Sequence, residues 1–335
     1  MTERVVRRAV AVLASGVLAL GILLDWTREV AAQGQPTPSA TSELEVLEVR
    51  QGLYMIAGAG GNVAVQTGPD GTVVVDTGSA DRADDLLAAV RKVARTPIRF
   101  VINTGPEPDH VGGNAKVSLA GRTIFPAPVD TQRGNAAPIM AHEGVLFRMS
   151  APTGQVSPYP ADAWPIAFTE RRYMHVNREA IEMIHQPHAH ADGDSFVMFR
   201  RSDVVCAGDV LDTTGFPTID VKNGGSIQGE IDALNRLMQL AIPSVPFVDQ
   251  DWGTLVIPGH GRLTDQIDLT EYRDMVTIVR DRVQALLAAK MTLAQVQAAN
   301  PTQGFTARWG SASPTAARTF VESIYTSVSS QPTKE

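Results

Sequence analysis

The chain has 335 residues and a formal net charge of −7, with 44% hydrophobic and 19% charged residues. This length is enough for one large domain or two around a sizeable core, and the ordinary composition excludes fibrous and intrinsically disordered classes. Because the net charge is negative, general binding to nucleic acid is excluded as well.

Residues 1–32 have the organisation of a secretory signal peptide. Arginines precede the apolar run of residues 9–24, and Val30-Ala31-Ala32 forms a small-residue cleavage site. The run is shorter than the roughly 20 residues that cross a bilayer comfortably. We therefore expect a periplasmic or secreted protein with no stable membrane insertion after cleavage; an uncleaved N-terminal anchor is the alternative. Residues 33–45 read as a polar linker.

The first half of the remaining chain predicts a β-β-α-β order. Residues 52–66 and 72–76 are β-branched runs joined by the turn Gly68-Pro69-Asp70-Gly71, which indicates a hairpin. Residues 80–94 are predicted to be helical, because apolar side chains recur on one face before a proline ends the segment. The apolar strand of residues 98–102 follows.

The second half repeats this order loosely. Ser226 is the predicted N-cap of a helix that turns Ile227, Ile231, Leu234 and Met238 inward. Cys206, which is the single cysteine, lies in an apolar run and is predicted to be a small buried core residue. The predicted elements are strands at 179–185, 195–200, 203–208 and 254–257, and helices at 226–241 and 269–289.

Two segments have a weaker pattern. Residues 127–178 are the least regular part and contain several prolines and bulky side chains, among them Phe147, Tyr159 and Trp164. They are interpreted either as an insertion that shapes a substrate pocket or as a surface excursion that packs its own aromatic residues. Residues 291–335 hold short helices, the first of them capped by Thr292.

Residues that carry chemistry gather at the ends of predicted strands. The loop after residues 98–102 reads Thr104-Gly105-Pro106-Glu107-Pro108-Asp109-His110-Val111-Gly112-Gly113, which is a G-x-E-x-D-H pattern followed by a glycine pair. Three later loops follow in chain order, and an earlier strand ends in an Asp-Thr-Gly turn. These segments are His190-Ala191-Asp192-Gly193-Asp194, Ala207-Gly208-Asp209, Pro258-Gly259-His260-Gly261 and, upstream, Val75-Asp76-Thr77-Gly78.

These motifs, in this order, resemble the ligand loops of the metallo-β-lactamase superfamily, whose usual first motif is H-x-H-x-D-H. The resemblance runs from about residue 52 to residue 265. It implies an α/β fold, a four-layer αββα sandwich, with an Asp-Thr-Gly loop that supports the first motif. We accordingly expect residues 46–290 to form the metallo-β-lactamase-like domain and residues 291–335 a C-terminal helical extension.

The resemblance also implies a metal site with two subsites. One subsite would use positions 105, 107 and 190, the other Asp109, His110 and His260, and Asp209 would bridge them. Glycine at position 105 offers no side-chain ligand, whereas Glu107 offers a carboxylate. The expected cofactor is Zn²⁺, one or two ions, with iron and manganese as alternatives because the donor set is rich in oxygen. The expected ligands are Glu107, Asp109, His110, His190, Asp209 and His260.

The leading functional hypothesis is an exported metal-dependent hydrolase that acts on an ester, an amide such as a β-lactam, or a related bond of a small molecule. Asp109 and Asp209 are the expected catalytic residues, which orient a water and accept its proton. A non-catalytic binding protein and an iron-dependent oxidoreductase are the alternatives. The sequence does not fix the substrate or the oligomeric state. His188 is a candidate to fill the vacancy at position 105 or a surface histidine, and Arg148, Lys222 and Arg262 are candidate anion-binding residues.

Overall fold

A computed structural model describes residues 43–124, 134–151, 155–244, 253–310 and 315–330. The predicted signal peptide lies outside the described residues, as does nearly all of the predicted linker. Both therefore stay predictions. None of the helices in the described part of the chain combines the length and the hydropathy that a membrane-spanning helix needs.

The first half of the fold is a seven-stranded sheet whose strands are neighbours in chain order. The first four strands pair in antiparallel fashion, whereas the last three join in parallel, so the ends of β4 and β5 meet at one edge. The strands are β1 (Glu45–Arg50), β2 (Leu53–Ala59), β3 (Gly61–Gly68), β4 (Gly71–Val75), β5 (Ile98–Ile102), β6 (Ile139–His142) and β7 (Ile166–Phe168).

The second sheet has five strands in the order β12-β11-β10-β9-β8. The pair β11–β12 is parallel, and the other neighbours are antiparallel. The carboxyl ends of β11 and β12 therefore lie side by side, as those of β4 and β5 do. The strands are β8 (Arg171–Val176), β9 (Glu179–His185), β10 (Ser195–Phe199), β11 (Val204–Asp212) and β12 (Leu255–His260).

Helices cover the outer face of each sheet. The helices are α1 (Ala83–Val93), α2 (Pro108–Val111), α3 (Asn114–Ala120), α4 (Glu143–Ser150), α5 (Ile227–Leu240), α6 (Gln266–Ala288), α7 (Leu293–Ala298), α8 (Thr306–Trp309) and α9 (Ala316–Ser329). Leu86 and Val90 of α1 pack on the first sheet, and Ile231 of α5 packs on the second. A third apolar cluster, with Phe100 and Phe199, lies between the sheets. The predicted αββα layering is confirmed.

Several local predictions are confirmed at single residues. Ser226 caps α5 by accepting a hydrogen bond from the Gly229 amide, and Thr292 forms a capping box with Gln295 at the start of α7. Cys206 is buried in the core between the sheets. Burial raises the pKa of its thiol well above the ordinary value, which keeps it protonated and unreactive.

The structure corrects two parts of the sequence reading. The run of residues 52–66 is two strands, and the chain reverses between them at Gly60, whose φ of 111° suits glycine; the glycine-rich residues 58–62 are interpreted from the sequence as a tight turn, which agrees. Residues 127–178 are more regular than expected, since they contain β6, α4, β7 and β8. Strands β6 and β7 are short and pair in parallel with strands distant in sequence, so no local alternation announces them.

The helices of residues 291–335 share a core with the preceding layer. Val296, Trp309 and Phe320 belong to the same buried cluster as Leu234 and Val279 of α5 and α6. The predicted boundary at residue 290 therefore separates segments that pack against each other.

Asn177 links the two sheets away from the ligand loops. It lies in the turn between β8 and β9 with a φ of 56°. Its side-chain amide donates 2.8 Å hydrogen bonds to Gln66 Oε1 and to the Gly71 carbonyl. Its Oδ1 accepts from the Asp70 amide at 2.8 Å, and its own backbone amide donates to Asp70 Oδ2 at 2.7 Å. One side chain therefore ties the second sheet to the β3–β4 hairpin.

We expect Asn177→Ala to lower the free energy of unfolding by about 2–4 kcal/mol, because it leaves buried polar groups without partners and places alanine at a positive φ. Equilibrium denaturant unfolding measures this change. Asn135→Ala is the matched control, since Asn135 is exposed. Equal stability of the two variants would contradict the assigned role of Asn177.

Candidate metal centre

The four ligand loops meet at the edge where parallel strands end. Glu107, Asp109 and His110 follow β5, whereas Asp209 and His260 lie near the ends of β11 and β12. The turn that follows β9 adds His190. Strand ends are the usual place for a site in sheets of this kind, because the loops that leave them are free to vary. The structure brings all six sequence-predicted ligands together.

The second subsite combines side chains of α2, which follows β5, with side chains of β11 and β12. Ligand atoms of Asp109, His110 and His260 all lie within 4.8 Å of one another. Asp209 Oδ1 is 3.0 Å from His110 Nε2 and 3.3 Å from His260 Nε2. His260 Nε2 is also 3.3 Å from Asp109 Oδ2. Two imidazole nitrogens and two carboxylates thus converge on one point.

His110 is held from behind by Asp76. Its Nδ1 is 2.8 Å from Asp76 Oδ2, and both side chains are buried. Thr104 fixes the carboxylate, since its backbone amide donates to Oδ1 at 2.8 Å and its hydroxyl donates to Oδ2 at 2.6 Å. When Nδ1 carries the proton that it donates to Asp76, the lone pair of Nε2 faces Asp209 and the site.

The first subsite is smaller and chemically different. Ligand atoms of Glu107, His190 and Asp209 lie within 4.8 Å of one another, and Glu107 Oε1 is 3.5 Å from His190 Nδ1. Within the described residues, Glu107 Oε2 and His190 Nδ1 are buried without a hydrogen-bond partner. Buried polar atoms of this kind are costly, so their presence here favours a site that binds an ion.

Gly105 and Glu107 form one structural unit. A Cβ added to Gly105 would lie 2.5 Å from Glu107 Oε2 and 3.5 Å from Asp194 Oδ1. The Glu107 carboxylate thus occupies the space next to the backbone that a larger residue 105 would need. The glycine and the glutamate look like two separate departures from H-x-H-x-D-H. In the structure they depend on each other, because the glutamate side chain uses the space that the glycine leaves.

In the second subsite, neighbouring charged side chains raise the pKa values of the histidines and lower those of the aspartates. Burial opposes a charge on His110, but Asp209 and Asp76 raise its pKa well above the ordinary value. The hydrogen bond with Asp109 and that with Asp209 raise the pKa of His260 to about 10. The same bond with His260 lowers the pKa of Asp109. Although burial works against ionisation, His110 and His260 lower the pKa of Asp209 well below its usual range.

The first subsite shows the opposite trend for its carboxylate. Burial is the main reason why the pKa of Glu107 rises to about 7, and the Asp209 and Asp194 carboxylates add to the effect. His190 is also buried, but Asp194, Asp209 and Glu107 raise its pKa to about 10. Crowded carboxylates and imidazoles of this kind are the donor set of a divalent cation, which would take the place of the protons. The residues present therefore fit a metal.

The remaining residues that the sequence suggested as a ligand or as anion-binding residues lie at different distances from the predicted ligands. His188 is exposed, bonds the Gly224 carbonyl through Nδ1 at 2.9 Å and lies outside both ligand groups. Lys222 is exposed, and Arg262 pairs with Asp268 on α6. Arg148 alone of the three candidate anion-binding residues contacts a predicted ligand, since its Nη1 is 3.8 Å from Glu107 Oε1.

The sequence reading missed Glu230 of α5. Both of its carboxylate oxygens are buried and have no hydrogen-bond partner in the described part of the chain. Burial raises its pKa well above the ordinary value, and His190, Asp194 and Asp209 act on it electrostatically. A signal existed, because Glu230 follows Ile227 by three residues and precedes Leu234 by four, so it falls on the buried face of the helix.

The aromatic residues of the segment 127–178 divide between two roles. Tyr159 and Trp164 pack against the cluster of Val111 and Met149, and Glu107 and Asp109, together with burial, raise the pKa of Tyr159. Phe147 is instead 61% exposed. It lines a groove of about 550 Å³ with His142, Leu146 and Asp192. The segment thus packs some of its own aromatic residues and leaves one exposed in a groove that includes Asp192 of the His190 loop.

Comparisons with known proteins identify the family and the fold. The model of the metallo-beta-lactamase superfamily matches residues 57–243, more than half of the chain. The sec-alkylsulfatase Pisa1 from Pseudomonas sp. is 15% identical with a TM-score of 0.62, over 84% of this chain and 50% of that one. The metallo-beta-lactamase from Pontibacter korlensis is 15% identical with a TM-score of 0.50, over 70% of this chain and 99% of that one. No curated protein sequence matches.

These likenesses show the fold. The chain spans about half the length of the alkylsulfatase, and at such low identity the activity of either protein does not follow from the match. The distances between the predicted ligands are those of this chain's own side chains and do not depend on either match.

We expect Asp76→Asn to weaken zinc binding by about 10- to 100-fold, because the amide no longer accepts the Nδ1 proton of His110 and orients the ring less well. Competition with a zinc-chelating dye measures the affinity. Asp81→Asn, at an exposed position nearby in sequence, is the control. An unchanged affinity in a folded Asp76→Asn protein would mean that Asp76 does not orient the ligand.

Proposed function

The chain belongs to the metallo-β-lactamase superfamily, and from that premise we propose that it is an exported metal-dependent hydrolase of small molecules. Members of this superfamily are metal-dependent hydrolases, which supports the general class. The proposal of export comes from the signal-like residues 1–32. The proposed cofactor is Zn²⁺, with iron and manganese as alternatives.

The observation that carries the proposal is the convergence of Asp109, His110, Asp209 and His260. Asp209 Oδ1 lies 3.0 Å from His110 Nε2, and His260 Nε2 lies 3.3 Å from both Asp109 Oδ2 and Asp209 Oδ1. Asp109 and His110 lie in α2, which follows β5, and Asp209 and His260 lie in β11 and β12. We propose that these four residues hold the metal. The chemistry that a bound divalent metal supplies is Lewis-acid polarisation of a substrate oxygen and a lowered pKa of water.

Asp109 has the position and charge of a proton acceptor. Its side chain is 34% exposed, more than the 11% of Asp209, so a water in the cleft can reach it. The carboxylate form of Asp109 is the state that accepts a proton, and the hydrogen bond with His260 lowers its pKa and with it its basicity. Asp209 lies deeper, between the two subsites, and is proposed to hold the imidazoles of His110 and His260 in register.

The proposed substrate is a small molecule with an ester, amide or related bond. The groove beside Phe147 would accept an apolar part of such a molecule, because contact with an exposed aromatic ring removes apolar surface from water. β-Lactams and lactones belong in a first screen. Sulfate esters belong there too, since a protein of similar fold is a sec-alkylsulfatase.

Two other functions remain as outcomes of the test. The oxygen-rich first subsite, in which Glu107 replaces an imidazole, favours iron more than a three-histidine subsite does. Iron in the isolated protein would support an iron-dependent oxidoreductase. Absence of any bound metal would support a non-catalytic binding protein.

We expect Asp109→Ala to lose its tightly bound metal and to lower hydrolysis of any substrate found by at least about 100-fold, because a ligand and a proton acceptor are removed together. Elemental analysis and initial-rate assays on the same preparations measure both effects. Asp84→Ala is the control, since Asp84 is exposed and pairs with Lys116 on the surface. Wild-type activity in Asp109→Ala would overturn the proposed mechanism.

A further inference from the structure

Helix α4 lies unusually close to the loop that carries His190. A Cβ on Gly144 would be 3.1 Å from Gly193 Cα, and a Cβ on Gly193 would be 3.1 Å from the Val145 amide nitrogen. These distances are tighter than ordinary Cβ contacts, so two glycines permit the approach. One helical turn after Gly144, the same face of α4 places Arg148 at the edge of the first subsite.

Arg148 is held in this position by two hydrogen bonds to residues other than the predicted ligands. Its guanidinium donates hydrogen bonds to the Asp192 carboxylate and to the Asn223 carbonyl. Its side chain is only 18% exposed, as is that of Glu107, toward which it directs Nη1 at 3.8 Å. A guanidinium bound by two partners and largely removed from water is a fixed positive charge rather than a freely moving one.

We propose that Arg148 provides the positive charge that faces Glu107 in place of a second metal ion, and that it thereby weakens metal binding in the first subsite. This inference rests on the proposed function, because it takes for granted that the second subsite binds a metal. The protein would then hold one metal tightly and a second one weakly. Arg148 acts here on the site through its charge and is a positioning residue, not a ligand.

The charges of the first subsite support this assignment. Glu107 places a carboxylate where an imidazole would stand, and the Arg148 guanidinium places a positive charge 3.8 Å from it. The guanidinium is also paired with Asp192, so only part of its charge acts on Glu107. A cation entering between Glu107 and His190 would also be repelled by the guanidinium at short range, where burial limits screening by solvent. In the second subsite the carboxylates pair instead with His110 and His260.

Glu107 Oε2 and His190 Nδ1 fit the same account. They are buried and have no hydrogen-bond partner among the residues described, so the subsite keeps ligand atoms that a metal can use. The 3.8 Å separation from Arg148 is longer than a hydrogen bond. Arg148 therefore lowers the affinity of the subsite without blocking it.

The test is zinc titration of the full-length mature protein by calorimetry, with dye competition for the tight equivalent. We expect the wild-type protein to bind one zinc tightly and a second weakly. Arg148→Gln should bind the second zinc at least about 10-fold more tightly, a change of about 1.4 kcal/mol. Arg148→Lys keeps the charge but loses the fixed guanidinium, so its affinity for the second zinc should lie between those of the wild type and Arg148→Gln. Arg236→Gln, which alters an arginine bonded to Gln239 on α5, is the matched control.

The affinities for the first and the second zinc distinguish failure of the proposed function from failure of the role assigned to Arg148. Binding of the first zinc in every variant shows that each is folded and that the second subsite works. If the wild-type protein binds no zinc at all, the proposed function fails. If the first zinc binds normally but the second binds equally well to wild type and Arg148→Gln, the role of Arg148 is wrong. A second affinity that rises equally in Arg148→Lys would also overturn it, because the charge would then not be the cause.

Discussion

The structure depends on a buried line of charge that joins the two sheets. It runs from Asp76, which follows β4, through His110 to Asp209 in β11, with contacts of 2.8 and 3.0 Å. All three side chains are largely shielded from water. Burying two carboxylates around one imidazole is costly unless the charges are balanced. The protons that balance them in the isolated chain can be replaced by a metal, and this exchange is the physical basis for the proposed function.

The two subsites differ because their neighbours differ. Both imidazoles of the second subsite contact Asp209, and Asp109 and Asp76 lie beside them, so lone pairs converge on one point. In the first subsite a carboxylate has taken the space beside Gly105, and the Arg148 guanidinium lies 3.8 Å from that carboxylate. A departure from the usual motif therefore does not by itself mean a decayed site. In our account it changes the charge of the first subsite and its affinity for a metal, and it leaves the second subsite intact.

The sequence predicted the fold and the assembly of the site well, because both rest on local signals in a fixed order. Strand runs rich in β-branched residues end in Asp, His and Gly at the positions where a parallel sheet exposes its loops, as at Asp109 and Asp209. The Ser226 cap and the buried Cys206 are likewise local features. The roles of the six ligands themselves stay proposals.

What the sequence could not predict depends on contacts between distant segments. The strands β6 and β7 have too few residues to show a period, and the sheet decides that β6 pairs with β5 and β7 with β6. The reason for glycine at position 105 is evident only from the structure, in which the Glu107 side chain fills the space beside the Gly105 backbone. Arg148 was one of three candidate cations, and its position depends on the close packing of Gly144 against Gly193, which no local pattern announces.

The most direct test of the central claim is anomalous X-ray diffraction at the zinc edge from crystals of the zinc-loaded protein. The account predicts a strong peak within ligand distance of Asp109, His110, Asp209 and His260, and a weaker peak or none beside Glu107 and His190. A strong peak in the first subsite with none in the second, or no peak at either place, would contradict it.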